Sequence, residues 1–204
     1  MKKKVTELTQ EEFQKTFPII LTEHNQNYKE WYEVEKNNIL SVVDKNDVIR
    51  INHIGSSAIE GLIAKPIIDI LLEIDGSCNV TKLLSDLKTI GFGEELSTRT
   101  EDPFRVLLAK GMSSDGFSEK VYFLHVRYLG DWKELYFRDF LIAHPDVARE
   151  YGELKENILK DIESGKIERM PNGQPNGYSQ AKLSFVEKVS MMAKEEFKER
   201  YKPC

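Results

Sequence analysis

The sequence predicts a mixed α/β (α+β) protein: a mixed β-sheet with helices in the N-terminal half, then a helical C-terminal half. Three observations predict this. The run from Pro66 to Ile74 (PIIDILLEI) is almost continuously apolar and rich in isoleucine, as a strand buried on both faces requires. Strand-like and helix-like segments alternate as far as Tyr128. From Trp132 onward only helical patterns remain.

Each element follows from local signals. Thr9 followed by Glu12 is a capping-box pattern, so a short helix begins near residue 10 and stops by Pro18. A longer helix is expected from Tyr28 to Val43, with Trp31, Val34 and Ile39 among its apolar positions. Val48 to Ile54 reads as a strand, Ser57 to Ala64 as a short helix, and Pro66 to Ile74 as the buried strand. Val80 to Ile90 is a helix closed by Gly91. Phe104 to Ala109 and Val121 to Tyr128 are two more strands, and the glycine-bearing loop between them suits a hairpin. A helix from Trp132 to Ala143 follows. Pro145 suits the first turn of the next helix, which ends near Gly165. After a Gly-, Pro- and Asn-rich loop at 170–177, a last helix is expected from Tyr178 to about Arg200. Residues 1–130 are thus expected to form an α/β core. Residues 131–204 form a helical region that packs on it and closes a cleft, the default place for a ligand.

Bulk properties narrow the function classes. The chain has 204 residues, 40% of them hydrophobic, enough for a real core. With 29 Lys and Arg against 34 Asp and Glu, the formal net charge is −5. An acidic chain is poorly suited to sequence-independent nucleic-acid binding, which depends on neutralising phosphates. Cys78 and Cys204 form neither a disulfide framework nor a metal knuckle, and Cys204, the last residue, is expected to be frayed. The positive start at Met1-Lys2-Lys3-Lys4 is not followed by an apolar stretch, and no run is long enough to span a membrane. The expected setting is soluble, reducing and cytoplasmic.

The informative segment is His53-Ile54-Gly55-Ser56-Ser57, with Asp69 on the following strand. Glycine lets the backbone approach a phosphate, serine offers a hydroxyl, and a helix start beyond it offers free N–H groups. An Asp on the neighbouring strand can hold the divalent ion that accompanies phosphates. An ordinary strand–turn–helix with an Asp at the sheet edge has the same local pattern.

The stretch HIGSSAIEGLIAKPIIDI (53–70) resembles the motif HIGSTAVPGL-x-AKPIIDI of GrpB-like proteins. Phe137-Arg138-Asp139-Phe140-Leu141 with Ala143-His144-Pro145 resembles that family's FRDYL and HP segment. Tyr151-x-x-Leu154-Lys155 and Tyr178-x-x-x-Lys182-x-x-Phe185 resemble its two later helical motifs. The similarity runs from about residue 18 to 197. It implies the fold of the nucleotidyltransferase superfamily, and with it a nucleoside triphosphate, a divalent metal and an acceptor that the sequence does not name. Ser57 stands where the family has Thr, and Ile59-Glu60 replaces Val-Pro. Glu60 is then either a solvated residue or an added metal contact.

Active nucleotidyltransferases carry two acids at i and i+2 on this strand, because only that spacing puts both on one face. Here the position two after Asp69 is Leu71, and Glu73 lies ~13 Å along the strand. The family resembled shares this gap. His125 falls on the strand where related enzymes place a third acid. His53, Asp69 and His125 converge if their strands are neighbours. Two histidines and a carboxylate suit a transition metal better than Mg²⁺, and His125 alone could be a base. The other reading is that each His hydrogen-bonds within a packed site.

Tyr151, Lys155, Leu159 and Ile162 share one helical face, and Tyr178, Lys182, Phe185 and Val189 share another. A lysine on an apolar stripe is costly unless its ammonium finds an anion or snorkels to water. The expected nucleotide contacts are Gly55, Ser56, Ser57, Lys65, Arg138, Lys155, Tyr178 and Lys182. Asp69 and His125 are the expected catalytic pair, and Asp69, His53 and His125 the expected metal ligands. The leading expectation is nucleotidyl transfer. The second is a non-catalytic nucleotide-binding or protein-interaction module. The residues around Ser56 do not form a nucleophile elbow, and no P-loop is present.

Overall fold

The computed structural model describes residues 3–203; Met1, Lys2 and Cys204, with the expectations placed on them, lie outside that range. Two helices come first, α1 (Gln10–Thr16) and α2 (Tyr28–Val42). The remaining α/β half contains β1 (Val48–Ile54), β2 (Ile68–Ile74), α3 (Val80–Thr89), β3 (Glu94–Arg99), β4 (Arg105–Ser113) and β5 (Gly116–Tyr128). Helices follow: α4 (Lys133–Ala143), α5 (Pro145–Glu163), α6 (Gly177–Ala181) and α7 (Leu183–Phe197). The strands form one sheet in the order β1-β2-β5-β4-β3. Only the central β2–β5 pair is parallel; the other pairs are antiparallel.

The sheet is covered on both faces, which explains the unbroken apolar run of β2. Ile68, Ile70, Leu72 and Ile74 join α2 and α3 in the main core with Leu83, Leu87, Leu124 and Val126. Leu71 points the other way, to Ile54 and Leu135 of α4. Each such side chain contributes about 1.5–3 kcal/mol on full burial. The second face is where the helical half docks, so Asp69, which alternates with the main-core residues, is turned toward α4–α7.

The capping box at Thr9 forms as expected. Four segments differ from expectation. The stretch from Ser57 to Ala64 is not a helix. A single 3-10 turn covers Ser56–Ala58, and Thr22 and Ala64 then exchange backbone hydrogen bonds of 2.9 and 3.0 Å, which requires extended chain. The hairpin strands run on to Ser113 and Gly116, leaving a two-residue turn. β3 falls in a segment to which the sequence assigns no element: its residues are charged and largely exposed, and charge is what a sheet edge carries to resist pairing with other chains. The last helix is interrupted at Lys182. No helix among the described residues is long and apolar enough to cross a membrane.

Candidate functional site

The site starts at the end of β1. Gly55 has φ 72° and ψ −174°, a conformation that glycine alone adopts readily. A Cβ at this position would stand 2.5 Å from Asp69 Oδ2. Glycine is therefore needed twice, for the turn and for the close approach of Asp69. Gly55→Ala is expected to destabilise the fold by roughly 1–3 kcal/mol and to push the Asp69 carboxylate away. Urea unfolding checks the first effect. An alanine variant as stable as the parent would show that the turn accommodates a side chain.

β1, β2 and β5 are neighbours, as the convergence of the three candidate ligands required. Register then separates them. Asp69 is on the face shared by Leu71 and His125, and His125 Nε2 lies 3.1 Å from Asp69 Oδ1. His53 pairs with Ile70 and so faces the main core. Its ring stacks on Tyr32 of α2 at 4.8 Å, and its Nε2 is 3.1 Å from Ser57 Oγ. Burial pushes the His53 imidazole down to about 4. His53 and Ser57 thus form a structural pair behind the turn, with Ser57 only 2% exposed. Among the described residues no group of three or more His, Cys, Asp or Glu is arranged to hold a metal ion. Of the three candidate ligands, Asp69 and His125 are the two in hydrogen-bond contact.

Glu73 is fully buried and belongs to the scaffold. It takes bonds from Arg50 at 2.6 and 2.9 Å and from the Gly130 amide at 3.2 Å. Arg138 is likewise committed: it donates to Asn52, the His53 carbonyl, the Tyr201 hydroxyl and Asp139. It braces the underside of β1 rather than reaching the turn.

The lysines come to the site from three directions. Lys65, just before β2, and Lys182, between α6 and α7, lie 4.8 and 4.3 Å from the centre of the Tyr178 ring. Among the described residues neither has a carboxylate within 4 Å, while the Asp69 charge acts on both. Burial lowers both ammonium groups. Repulsion from Arg169 adds to this at Lys65, and repulsion from Lys65 adds to it at Lys182, which falls to about 8. The buried Tyr178 hydroxyl has no hydrogen-bond partner among the described residues. Lys155 of α5 goes deeper and is 2% exposed. Its Nζ donates to the Ile63 carbonyl and, at 3.1 Å, to Ser56 Oγ, and it lies over the Tyr151 ring. Lys155 therefore lies behind Ser56, with its polar contacts made inside the protein.

Two neighbours were not among the expected contacts. The Tyr151 hydroxyl reaches Ser56; its place on the α5 stripe beside Lys155 was the available signal. Arg169 bonds to the carbonyls of Gln14 and Phe17 and adds positive charge near Lys65; an isolated Arg next to a loop gives no such signal. A groove of about 640 Å³ lies nearby, between the 59–63 segment and helices α4 and α5, but none of the expected site residues lines it.

Comparison with known proteins gives a consistent picture. Residues 18–191 match the family model described as GrpB protein. The chain is 33% identical over 175 residues to the glutamate-rich protein GrpB of Alkalihalophilus pseudofirmus, covering 84% of this chain and 93% of that protein. It is 30% identical over 178 residues to UPF0157 protein BH1888 of Halalkalibacterium halodurans, covering 86% and 82%. The match to UPF0157 protein YqkA of Bacillus subtilis, 30% identical, covers 66% of this chain and 38% of that longer protein. The crystal structure of conserved protein GrpB from Enterococcus faecalis has a similar fold, with a TM-score of 0.69 at 24% identity over 87% of this chain and 99% of that one.

Proposed function

The chain belongs to the GrpB family, and from that premise we propose that it binds a nucleoside triphosphate and transfers the nucleotidyl group to an acceptor hydroxyl. The observation that carries this reading is the pair of half-buried lysines, Lys65 and Lys182, gathered on the Tyr178 ring within range of the Asp69 charge, with no carboxylate among the described residues paired to either. Partly desolvated ammonium groups left without a counter-ion favour a polyanionic ligand. Ser56 and the first amides of the turn would receive the phosphates. The Asp69–His125 pair has the form of an oriented base, a carboxylate holding an imidazole. It would take the proton of the acceptor hydroxyl as that oxygen attacks the α-phosphorus and pyrophosphate leaves toward the lysines. With one carboxylate available, a divalent ion is read as arriving with the triphosphate, as part of the substrate.

A second reading, binding without transfer, is favoured by one specific feature. The place of the second acid is taken by Leu71, 0% exposed, and the remaining acid of that face, Glu73, is held by Arg50. Pyrophosphate release from α-labelled triphosphates with Mg²⁺ separates the two. Under the transfer reading His125→Ala is expected to slow release by roughly 10²–10⁴-fold with affinity unchanged. Tight binding with no pyrophosphate from the parent, across a panel of hydroxyl acceptors, would leave only the binding reading.

A further inference from the structure

Lys155 is the one lysine of the site that the proposed reaction does not use, and its surroundings are unlike those of a phosphate clamp. It is 2% exposed. Among the described residues no carboxylate lies within 4 Å of its nitrogen. One of its protons is taken by the Ile63 carbonyl, and its other polar contact is Ser56 Oγ at 3.1 Å. A neutral amine in this position keeps a lone pair for the serine hydroxyl, while its N–H still serves the carbonyl.

We propose that Ser56 is a nucleophile and Lys155 the base that takes its proton, so that the single displacement described above is divided into two and the nucleotidyl group passes first to the Ser56 oxygen. The identity of the electrophile rests on the triphosphate reading above; the nucleophile–base pair does not. In the first step the Ser56 Oγ–phosphorus bond forms and the bond to the β-phosphate oxygen breaks. Pyrophosphate leaves, and the hydroxyl proton goes to Lys155. In the second step the acceptor oxygen attacks the same phosphorus, its proton passing to His125. The Ser56 oxygen leaves and recovers a proton from Lys155. The lysines thus act differently. Lys65 and Lys182 face the charge of the leaving pyrophosphate, and Lys155 handles the proton.

The electrostatics of the surroundings favour the neutral amine. Burial is the main cause, and repulsion from Lys182 adds to it, lowering the Lys155 ammonium to about 7; Glu156, on the same helix, opposes this weakly. The remaining groups around Ser56 are the Tyr151 hydroxyl, which burial keeps protonated, and Asp69, whose charge acts on Tyr151. A base with its pKa near the working pH takes up and returns a proton most effectively.

Two probes test the proposal independently. The first is a fluorophosphonate, which forms a stable bond to an activated serine without needing nucleotide recognition. The second is a mixture of the four α-labelled ribonucleoside triphosphates with Mg²⁺, quenched in acid and mapped by mass spectrometry. The expected result is labelling of Ser56 by both probes and none at that peptide in Ser56→Ala. Labelling should be at least 100-fold slower in Lys155→Met, and also in Lys155→Arg, which keeps the charge but cannot act as a base. The parent's rate should rise with pH, half-maximal near pH 7, to a plateau at higher pH. Fluorophosphonate labelling of Ser56 without any triphosphate adduct, in a protein that binds no triphosphate, would support the nucleophile–base pair and overturn only the nucleotide reading. Absence of labelling by either probe overturns the proposal. Pyrophosphate release with no adduct at Ser56 on rapid quenching also overturns it, and leaves one-step transfer standing.

Discussion

A Lys65→Met, Lys182→Met double variant is expected to bind triphosphate roughly 10²–10⁴-fold more weakly, since each ammonium–phosphate hydrogen bond contributes about 1.5–3 kcal/mol. Adenosine or a monophosphate should show a smaller difference, having less charge to neutralise. The unliganded variant should be as stable as the parent or more so, because two poorly solvated charges without partners are removed. The pH dependence follows from Lys182, whose ammonium is lowered to about 8 in the fold from the ordinary 10.5. Binding a polyanion restores the charge, so binding takes up protons, and affinity through this lysine alone should fall roughly tenfold from pH 7 to 9. For stability the sign is opposite: between pH 8 and 10.5 the unfolded chain holds the extra proton, so the parent's stability rises with pH across that window. The double variant should lose both effects. Calorimetry in buffers of differing ionisation heat measures the affinity and the proton uptake together. Unchanged affinity and no proton uptake in the parent would mean that the two lysines only rest on Tyr178, and the triphosphate reading would fall.

The second large effect is on the scaffold. Glu73→Ala is expected to destabilise the protein by about 3–5 kcal/mol, the range for removing one partner of a buried ion pair. Glu73 is 0% exposed. Its loss leaves Arg50 with only the carbonyls of Gly130 and Tyr201, at 2.7 and 3.1 Å. An Arg50→Met, Glu73→Leu double variant should recover much of that loss, since apolar side chains of similar size replace a costly pair of buried charges. Urea unfolding of Arg50→Met, of Glu73→Leu and of the double variant closes the cycle. If the losses of the single variants simply add, the pair is not coupled, and Glu73 would be free to serve elsewhere on the strand. The expected coupling assigns it to holding β1, β2 and the C-terminal segment together, which leaves Asp69 as the one acid of that strand turned to the site.

Much of this was present in the sequence. The capping box at Thr9, the doubly buried β2 and the change to helices after Tyr128 follow from local periodicity and turn chemistry, which act over a few residues. The Gly55–Ser56 turn before the strand of Asp69 was legible for the same reason, whereas the adjacency of β1, β2 and β5 that brings His125 to Asp69 was only a condition, which the strand order meets. The lysine–tyrosine spacing on α5 and across the α6–α7 junction also pointed to the site. What only the tertiary structure decided was which partner each side chain meets. His53 lies two residues before Gly55, yet the β1–β2 register turns it onto Tyr32, away from Asp69 and His125. Arg138 has the forked shape of a phosphate ligand, but docking of α4 gives its donors to Asn52, His53, Asp139 and Tyr201 before any ligand arrives. Lys155 and Lys182 look alike on their helices. The depth at which α5 packs separates them, leaving Lys182 half-buried against Tyr178 and Lys155 sealed behind Ser56. The physical reason is common to all three: periodicity fixes the face a residue occupies on its own element, whereas register and docking depth are set by packing between elements distant in the chain.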